Sequence, residues 1–340
     1  MAMISRREFF GKSALGLIAL SGAGGVKSMA WGSVSKEDQV NDKKAVISLV
    51  KTGDRKSGVR RAIELLRINP VKGKKVMIKP NFNSADPAPG STHNDTLEEI
   101  IKSLQDMEAS SITIGERSGF AGFLNTGKIM AQKGIPELAK RFGVEVINFD
   151  TLKKGEWKRI QPKGSHWIRG FDVPRPLLES EAVVSTCCLK THRVGGHFSI
   201  SLKNSVGIVK TSFMSELHSS LLSMRKMIAE INTAYSPCLI VLDGVDVFTD
   251  GGPETGELKK GNVVLAGNDR VAIDAAGIAI LKELGSNKRI MSMKIFEHDQ
   301  IARAVELGLG VPSPDRIEIV TGDEESKSYA EKIKSILLQG

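Results

Sequence analysis

The sequence predicts an α/β fold: a mostly parallel sheet with helices on both faces and a small inserted β flap. Three observations predict it. Short apolar runs alternate with helix-spaced stretches along most of the chain. Within the runs, successive positions are apolar rather than every second one, as in strands covered on both sides. Glycine is frequent, at 34 of 340 residues, while aromatics make up only 5%, a composition suited to many tight strand–helix turns.

Taken in order, residues 45–50 (AVISLV) read as a strand and 59–66 have helix spacing. Residues 75–78 form a second strand that stops at Pro80, because proline lacks a donor for the ladder. Asp95 followed three residues later by Glu98 predicts a capped helix start, with the helix running to about Met107. Strands are expected at 112–114 and 144–147, with a helical stretch at 136–142 between them. Residues 153–175 break the rhythm with lysines, glycines, prolines and two tryptophans. They read as an inserted flap with hairpin strands at Ile160 and 167–171. The buried-strand style resumes at 182–186, followed by a helix over 217–231 and strands at 238–243 and 263–266. Asp269 is the expected cap of a helix over 271–284. A strand at 317–320 and a helix from Glu324 close the chain. No fixed-period repeat is present.

The N-terminus has a different character. Ser5-Arg6-Arg7-Glu8-Phe9-Phe10-Gly11-Lys12 resembles a twin-arginine export signal, with Arg6 and Arg7 as the pair the carrier reads. Residues 13–26 are uncharged and glycine-rich, short of the roughly 20 apolar residues of a membrane span. Ser28-Met29-Ala30 supplies small residues for a signal peptidase. The expected division is a signal peptide over 1–30, a polar linker over 31–43 and one domain over 44–340. The expected partners are the translocation machinery and no stable membrane span after cleavage, with a periplasmic or otherwise exported destination. A membrane-anchored, uncut form is the alternative.

The formal net charge is +9. Arg6, Arg7, Lys12 and Lys27 against Glu8 put three of those charges in the signal segment, leaving +6. The basic residues are scattered, without a stripe interleaved with aromatics, which argues against nucleic acid and for a small anionic partner. Cys187, Cys188 and Cys238 are the three cysteines. An iron–sulfur cluster normally takes four thiolates, so this chain is not expected to hold one.

Candidate chemistry follows strand ends, where ligands bind in open α/β sheets. Lys79 and Asn81, with His93 just beyond, form one polar segment. The densest runs through Lys190, His192, Arg193, Gly195, Gly196 and His197 to Ser199, Lys203 and Asn204. Glycines there permit close backbone approach to a ligand, and the cations suit an anion or cofactor. Histidine titrates near neutral pH and ligates metals, so His192 and His197 are candidate metal ligands. A helix starting near Ser199 would set Ser199 and Lys203 on one face. Asp243, ending a buried strand, and His218, on a long helix, complete the candidates as catalytic groups with His192. The stretch 251–256 has glycines but neither lysine nor a following helix, so it reads as a rigid turn rather than a phosphate loop.

In order, Lys79-Pro80-Asn81, Thr92-His93, Lys190-Thr191-His192, Leu202-Lys203-Asn204 with Gly207, His218, Asp243-Gly244, Gly252-Pro253 and Ala272-Ile273-Asp274 resemble the signature series of the DUF362 family. The series spans about residues 45–310. Some members of that family carry a ferredoxin-like segment, which this sequence lacks. A more distant likeness runs through His192, the glycine pair, Ser199, Lys203 and His218, whose order is similar to that of nickel-pincer lactate racemases. In those enzymes the lysine anchors a nickel-pyridinium cofactor, and histidines ligate nickel or move protons. This chain departs from that pattern at Ile200 and Ser201, where that family has glycines.

Two functions are therefore expected of these residues. One is an enzyme performing proton or hydride transfer on a small anionic substrate with a metal or bound cofactor. Lys190, Arg193 and Lys203 would bind the anion, His192 and His218 would serve as acid and base, and Asp243 would orient one of them or hold a metal. The other is an exported ligand-binding or electron-transfer accessory protein without turnover.

Overall fold

The computed structural model describes residues 44–119, 125–195 and 197–340. The signal segment with Arg6 and Arg7, the linker 31–43 and Gly196 lie outside the described residues. The first half of the domain contains β1 (Ala45–Lys51), α1 (Arg55–Leu65), β2 (Lys75–Lys79), α2 (Asn94–Asp106), β3 (Ser111–Glu116), α3 (Thr126–Gln132), α4 (Ile135–Phe142) and β4 (Glu145–Asn148). The flap strands are β5 (Trp157–Ile160) and β6 (Phe171–Pro174), followed by the short α5 (Arg175–Glu179). Then come β7 (Ala182–His192), β8 (His197–Ser199), α6 (Ser201–Asn204), α7 (Met214–Ser219), α8 (Met224–Ile231), β9 (Leu239–Gly251), β10 (Gly256–Lys260) and β11 (Val263–Gly267). The chain closes with α9 (Arg270–Glu283), α10 (Lys288–Ser292), α11 (Asp299–Glu306), β12 (Ile317–Val320) and α12 (Glu324–Gln339).

The main sheet has the order β12-β1-β11-β9-β7-β2-β3-β4, with β10 attached to β9 and β8 to β7. The run β9-β7-β2-β3-β4 is parallel throughout, as is β12 on β1. Antiparallel pairing enters where β11 sits between β1 and β9, and in the β7–β8 and β9–β10 hairpins. The sheet is thus mixed and mostly parallel. Successive residues of one strand feed opposite cores, which explains the unbroken apolar runs. In β11, Val263 and Leu265 join one core while Val264 and Ala266 join the other. In β9, Ile240 and Leu242 oppose Leu239 and Val241 in the same way. The flap pairs β5 with β6 in a separate two-stranded sheet. It packs Trp157, Trp167 and Phe171 onto a third core with Met214, Leu217, Met227 and Ile228. No helix among the described residues is long and apolar enough to cross a membrane.

Several sequence expectations change here. The α2 cap is His93, not Asp95: the His93 Nδ1 accepts from the Asp95 amide at 3.1 Å. The helix expected over 217–231 is two helices, because 220–223 leave helical geometry between α7 and α8. β7 does not stop at 186 but runs through Lys190 and His192. β9 runs thirteen residues, because its second half has β10 to pair with. Ser199 lies in β8, so it does not share a helix with Lys203.

Candidate anion site at the strand ends

The carboxyl ends of β2, β3 and β7 deliver Lys79, Glu116 and Lys190 toward one place. Arg117 follows β3 directly. The turn from β8 into α6 adds Ser199, Lys203 and Asn204. Together with Asn81, Gly207 and Pro253 these residues line a cavity of about 40 Å³, room for about three water molecules. Lys79, Glu116, Arg117 and Lys190 are all buried. Among the described residues Glu116 is the single carboxylate in a wall that carries four cations.

The scaffold of the site is closely specified. The Lys79 Nζ meets Glu116 Oε1 at 2.7 Å and donates to the Pro80 carbonyl at 2.6 Å. Glu116 also accepts from the Phe82 and Arg117 amides, both at 2.9 Å. Burial drives the pair toward its neutral forms, pushing Lys79 down and Glu116 up. Gly207 is required beside it: a Cβ there would lie 2.4 Å from Glu116 Oε1 and 2.6 Å from Lys79 Nζ. The Asn204 Nδ2 ties α6 to β7 through Ser185 Oγ at 3.0 Å and the Thr186 carbonyl at 3.1 Å. From the far side, the buried Asp274 of α9 accepts from the Ser201 amide at 2.7 Å and the Leu202 amide at 3.2 Å. Burial raises its carboxyl to about 8. Gly277 lets α9 approach closely, since a Cβ would stand 2.7 Å from Ile200 Cδ1. Lys203 is therefore held at both ends of its short helix.

The cations of the cavity are paired unequally. Lys190 Nζ donates to the Gly90 carbonyl at 2.6 Å. The Arg117 guanidinium donates to the Gly119 and Val206 carbonyls at 3.0 and 2.8 Å, while its buried Nε has no partner. The Lys203 amine has no hydrogen bond or ion pair among the described residues, although the residue lines the cavity. Burial, then the Lys190 and Arg117 charges, bring its amine down to about 7. The same field reaches both candidate histidines. Burial and the nearby Lys203 and Lys190 hold His192 well below its ordinary range. Burial, Lys203 and Arg117 also lower His218. His218 Nδ1 lies 2.7 Å from the Met214 carbonyl, to which it donates, so Nε2 carries the lone pair of the neutral ring.

The sequence candidates divide into three groups. Lys79, Asn81, Lys190, Lys203 and Asn204 line the cavity, with His192 and His218 within the electrostatic reach of Lys203. Arg193 turns away from it: it pairs with Glu254 and donates to the Gly252 carbonyl at 3.1 Å. Together with His192, His197 and Arg289 it lines a separate hollow of about 260 Å³. Gly195, with φ of 65°, packs where a Cβ would meet Met224 Sδ at 2.7 Å, so its glycine serves packing.

The third group is elsewhere. Asp243 accepts from Arg55 Nε at 2.8 Å, Thr96 Oγ1 at 2.7 Å and the Val245 amide at 3.1 Å. These bonds tie it to α1, α2 and its own strand β9. His93 caps α2 and feels Arg55, Asp95 and Asp243, so it belongs to that same cluster. His197 neighbours His298, with ring centroids 6.0 Å apart, and burial lowers both to about 4. No group of three or more His, Cys, Asp or Glu that could hold a metal ion occurs among the described residues. Glu116 and Arg117 were missed by sequence reasoning, yet they directly follow the predicted strand 112–114, where the strand-end rule points.

With this geometry in place, comparison with known proteins can be stated. The family model DUF362, a domain of unknown function, matches residues 76–279, more than half of the chain. The chain belongs to the DUF362 family. No curated protein matches the sequence. Among solved structures, the chain is similar to the lactate racemase apoprotein from Thermoanaerobacterium thermosaccharolyticum. The TM-score is 0.43 at 15% identity, covering 86% of this chain and 87% of that one. It is also similar to a crystal structure of a protein from Thermotoga maritima. There the TM-score is 0.42 at 14% identity, covering 75% of this chain and 58% of that one. The DUF362 match contains the four cavity cations, both histidine candidates and Asp274.

Proposed function

We propose that this DUF362 protein is an exported enzyme that binds a small anion in the Lys79–Arg117–Lys190–Lys203 cavity and moves a proton on it. The observation that carries the reading is the charge imbalance of a buried wall: four cations, one carboxylate and an unpartnered Lys203. Uncompensated buried charge is costly, and a bound anion relieves it. Lys190 and Arg117 add their charges to the same wall, which suits a carboxylate-sized group. His192 and His218, held neutral at pH 7 by burial and by Lys203, are suited to accept a proton rather than to carry charge.

A metal or nickel-pincer cofactor fits these residues poorly. Too few metal-ligating side chains converge among the described residues, and the cavity has room for about three waters. Replacing His192 or His218 by Gln should slow solvent-deuterium exchange into a bound 2-hydroxy or 2-oxo acid by about 10²–10⁴-fold. Calorimetric anion affinity should change far less. If only the lysine and arginine variants matter and no exchange occurs, the protein holds its ligand without turnover.

Export rests on Arg6-Arg7. Changing both to Lys should strand the protein in the cytoplasm, as fractionation and immunoblotting would show. Normal export of that variant would remove the twin-arginine assignment.

A further inference from the structure

We infer that the Lys203 amine is a nucleophile that forms an imine with a small 2-oxo acid. This deepens, and rests on, the anion-site reading. The geometry supports it in three ways. Lys203 lines the cavity with no partner to occupy its nitrogen, unlike Lys79 and Lys190. Its helix is fixed from two sides, by Asn204 against β7 and by Asp274 beneath Ser201 and Leu202. Lys190 and Arg117 line the same cavity, so their charges favour a carboxylate there and leave the adjacent carbonyl carbon for Lys203. With its pKa near 7, about 10³-fold more of Lys203 than of an ordinary lysine is neutral at pH 7. A desolvated lysine beside other cations is the arrangement that activates an amine toward carbonyls.

The step balances without an added redox partner. The amine lone pair adds to the carbonyl carbon as the carbonyl π pair moves to oxygen. A proton passes from nitrogen to that oxygen, giving a carbinolamine. A second proton, taken from solvent, lets the oxygen leave as water with the C–O bonding pair while the nitrogen lone pair closes the C=N bond, and the product is an iminium. The cationic nitrogen then acidifies the neighbouring C–H.

The test uses the full-length protein with pyruvate and sodium cyanoborohydride, followed by proteolysis and mass mapping. The expected result is a reduced pyruvate adduct on Lys203 exceeding that on any surface lysine by at least about tenfold. Its rate should rise with pH to half-maximum near pH 7. Acetate, which has no ketone, should bind by calorimetry and slow the trapping. Adducts spread over surface lysines and absent from Lys203, with acetate still bound, would overturn the imine while leaving the anion site intact. Absence of both trapping and acetate binding would overturn the two together.

Discussion

Two polar clusters flank the β7–β9 ladder, and they are built on opposite rules. In the first, Arg55 bridges Asp243 at 2.8 Å and Asp246 at 2.7 Å, Thr96 donates to Asp243, and Lys260 reaches Asp246 at 2.6 Å. Every charge there has an opposite. In the second, Lys79, Arg117, Lys190 and Lys203 line one cavity with Glu116 as the one carboxylate in its wall among the described residues, while Asp150, Asp86 and Glu254 act on Arg117 and Lys190 from outside it. Asp243 in the first and Lys79 and Lys190 in the second are buried, and all three lie on apolar strands. The difference separates structure from function: charges matched within the protein hold the sheet, and charges left over are available to a ligand.

The contrast can be broken by removing one member of each cluster. The largest stability effect is expected at Asp243. Asp243→Ala leaves Arg55 with Asp246 alone and takes the acceptor from the Thr96 hydroxyl and the Val245 amide, and should cost about 2–4 kcal/mol in urea unfolding. A loss below about 1 kcal/mol would place Asp243 outside the structural class. Next is Gly207→Ala, whose methyl would press on Glu116 Oε1 and Lys79 Nζ. It should destabilise by about 1–3 kcal/mol and weaken anion binding together with stability. The smallest effect has the opposite sign. The folded-state pKa of Lys203 lies near 7, against 10.5 for an unperturbed lysine. The penalty for its charge is thus fully present below pH 7 and relieved as pH rises from about 7 to 10.5. Lys203→Met should therefore raise stability on the order of 1 kcal/mol below pH 7, with the gain fading at higher pH. Destabilisation by that variant would show that Lys203 is matched after all.

The fold was legible where local signals and burial agree. The apolar runs at 45–50 and 263–266 are strands because both faces are covered, and Asp269 caps α9 through the Ala272 amide as its sequence position suggests. Boundaries set by distant partners were not legible. β9 extends past Asp243 because β10 pairs with it, and α7 and α8 separate at 220–223 where no proline or glycine marks a break. In the site, Lys79, Lys190, Lys203 and Asn204 stood out as cations and amides after strands. Asp243 and His93 stood out equally, yet both face Arg55, which sits nearly two hundred residues before Asp243. A sequence shows which residues are charged, whereas pairing decides which of those charges remain unspent.

The most direct measurement is calorimetric titration of acetate into the full-length protein across pH 6 to 9, repeated with Lys203→Met and Lys190→Met. If the cavity is an anion site, wild-type affinity should fall as pH rises through about 7, where Lys203 loses its charge. That fall should vanish in Lys203→Met, and Lys190→Met should weaken binding at every pH. Acetate affinity that is indifferent to both lysines, or binding absent from the wild type, would contradict the anion site.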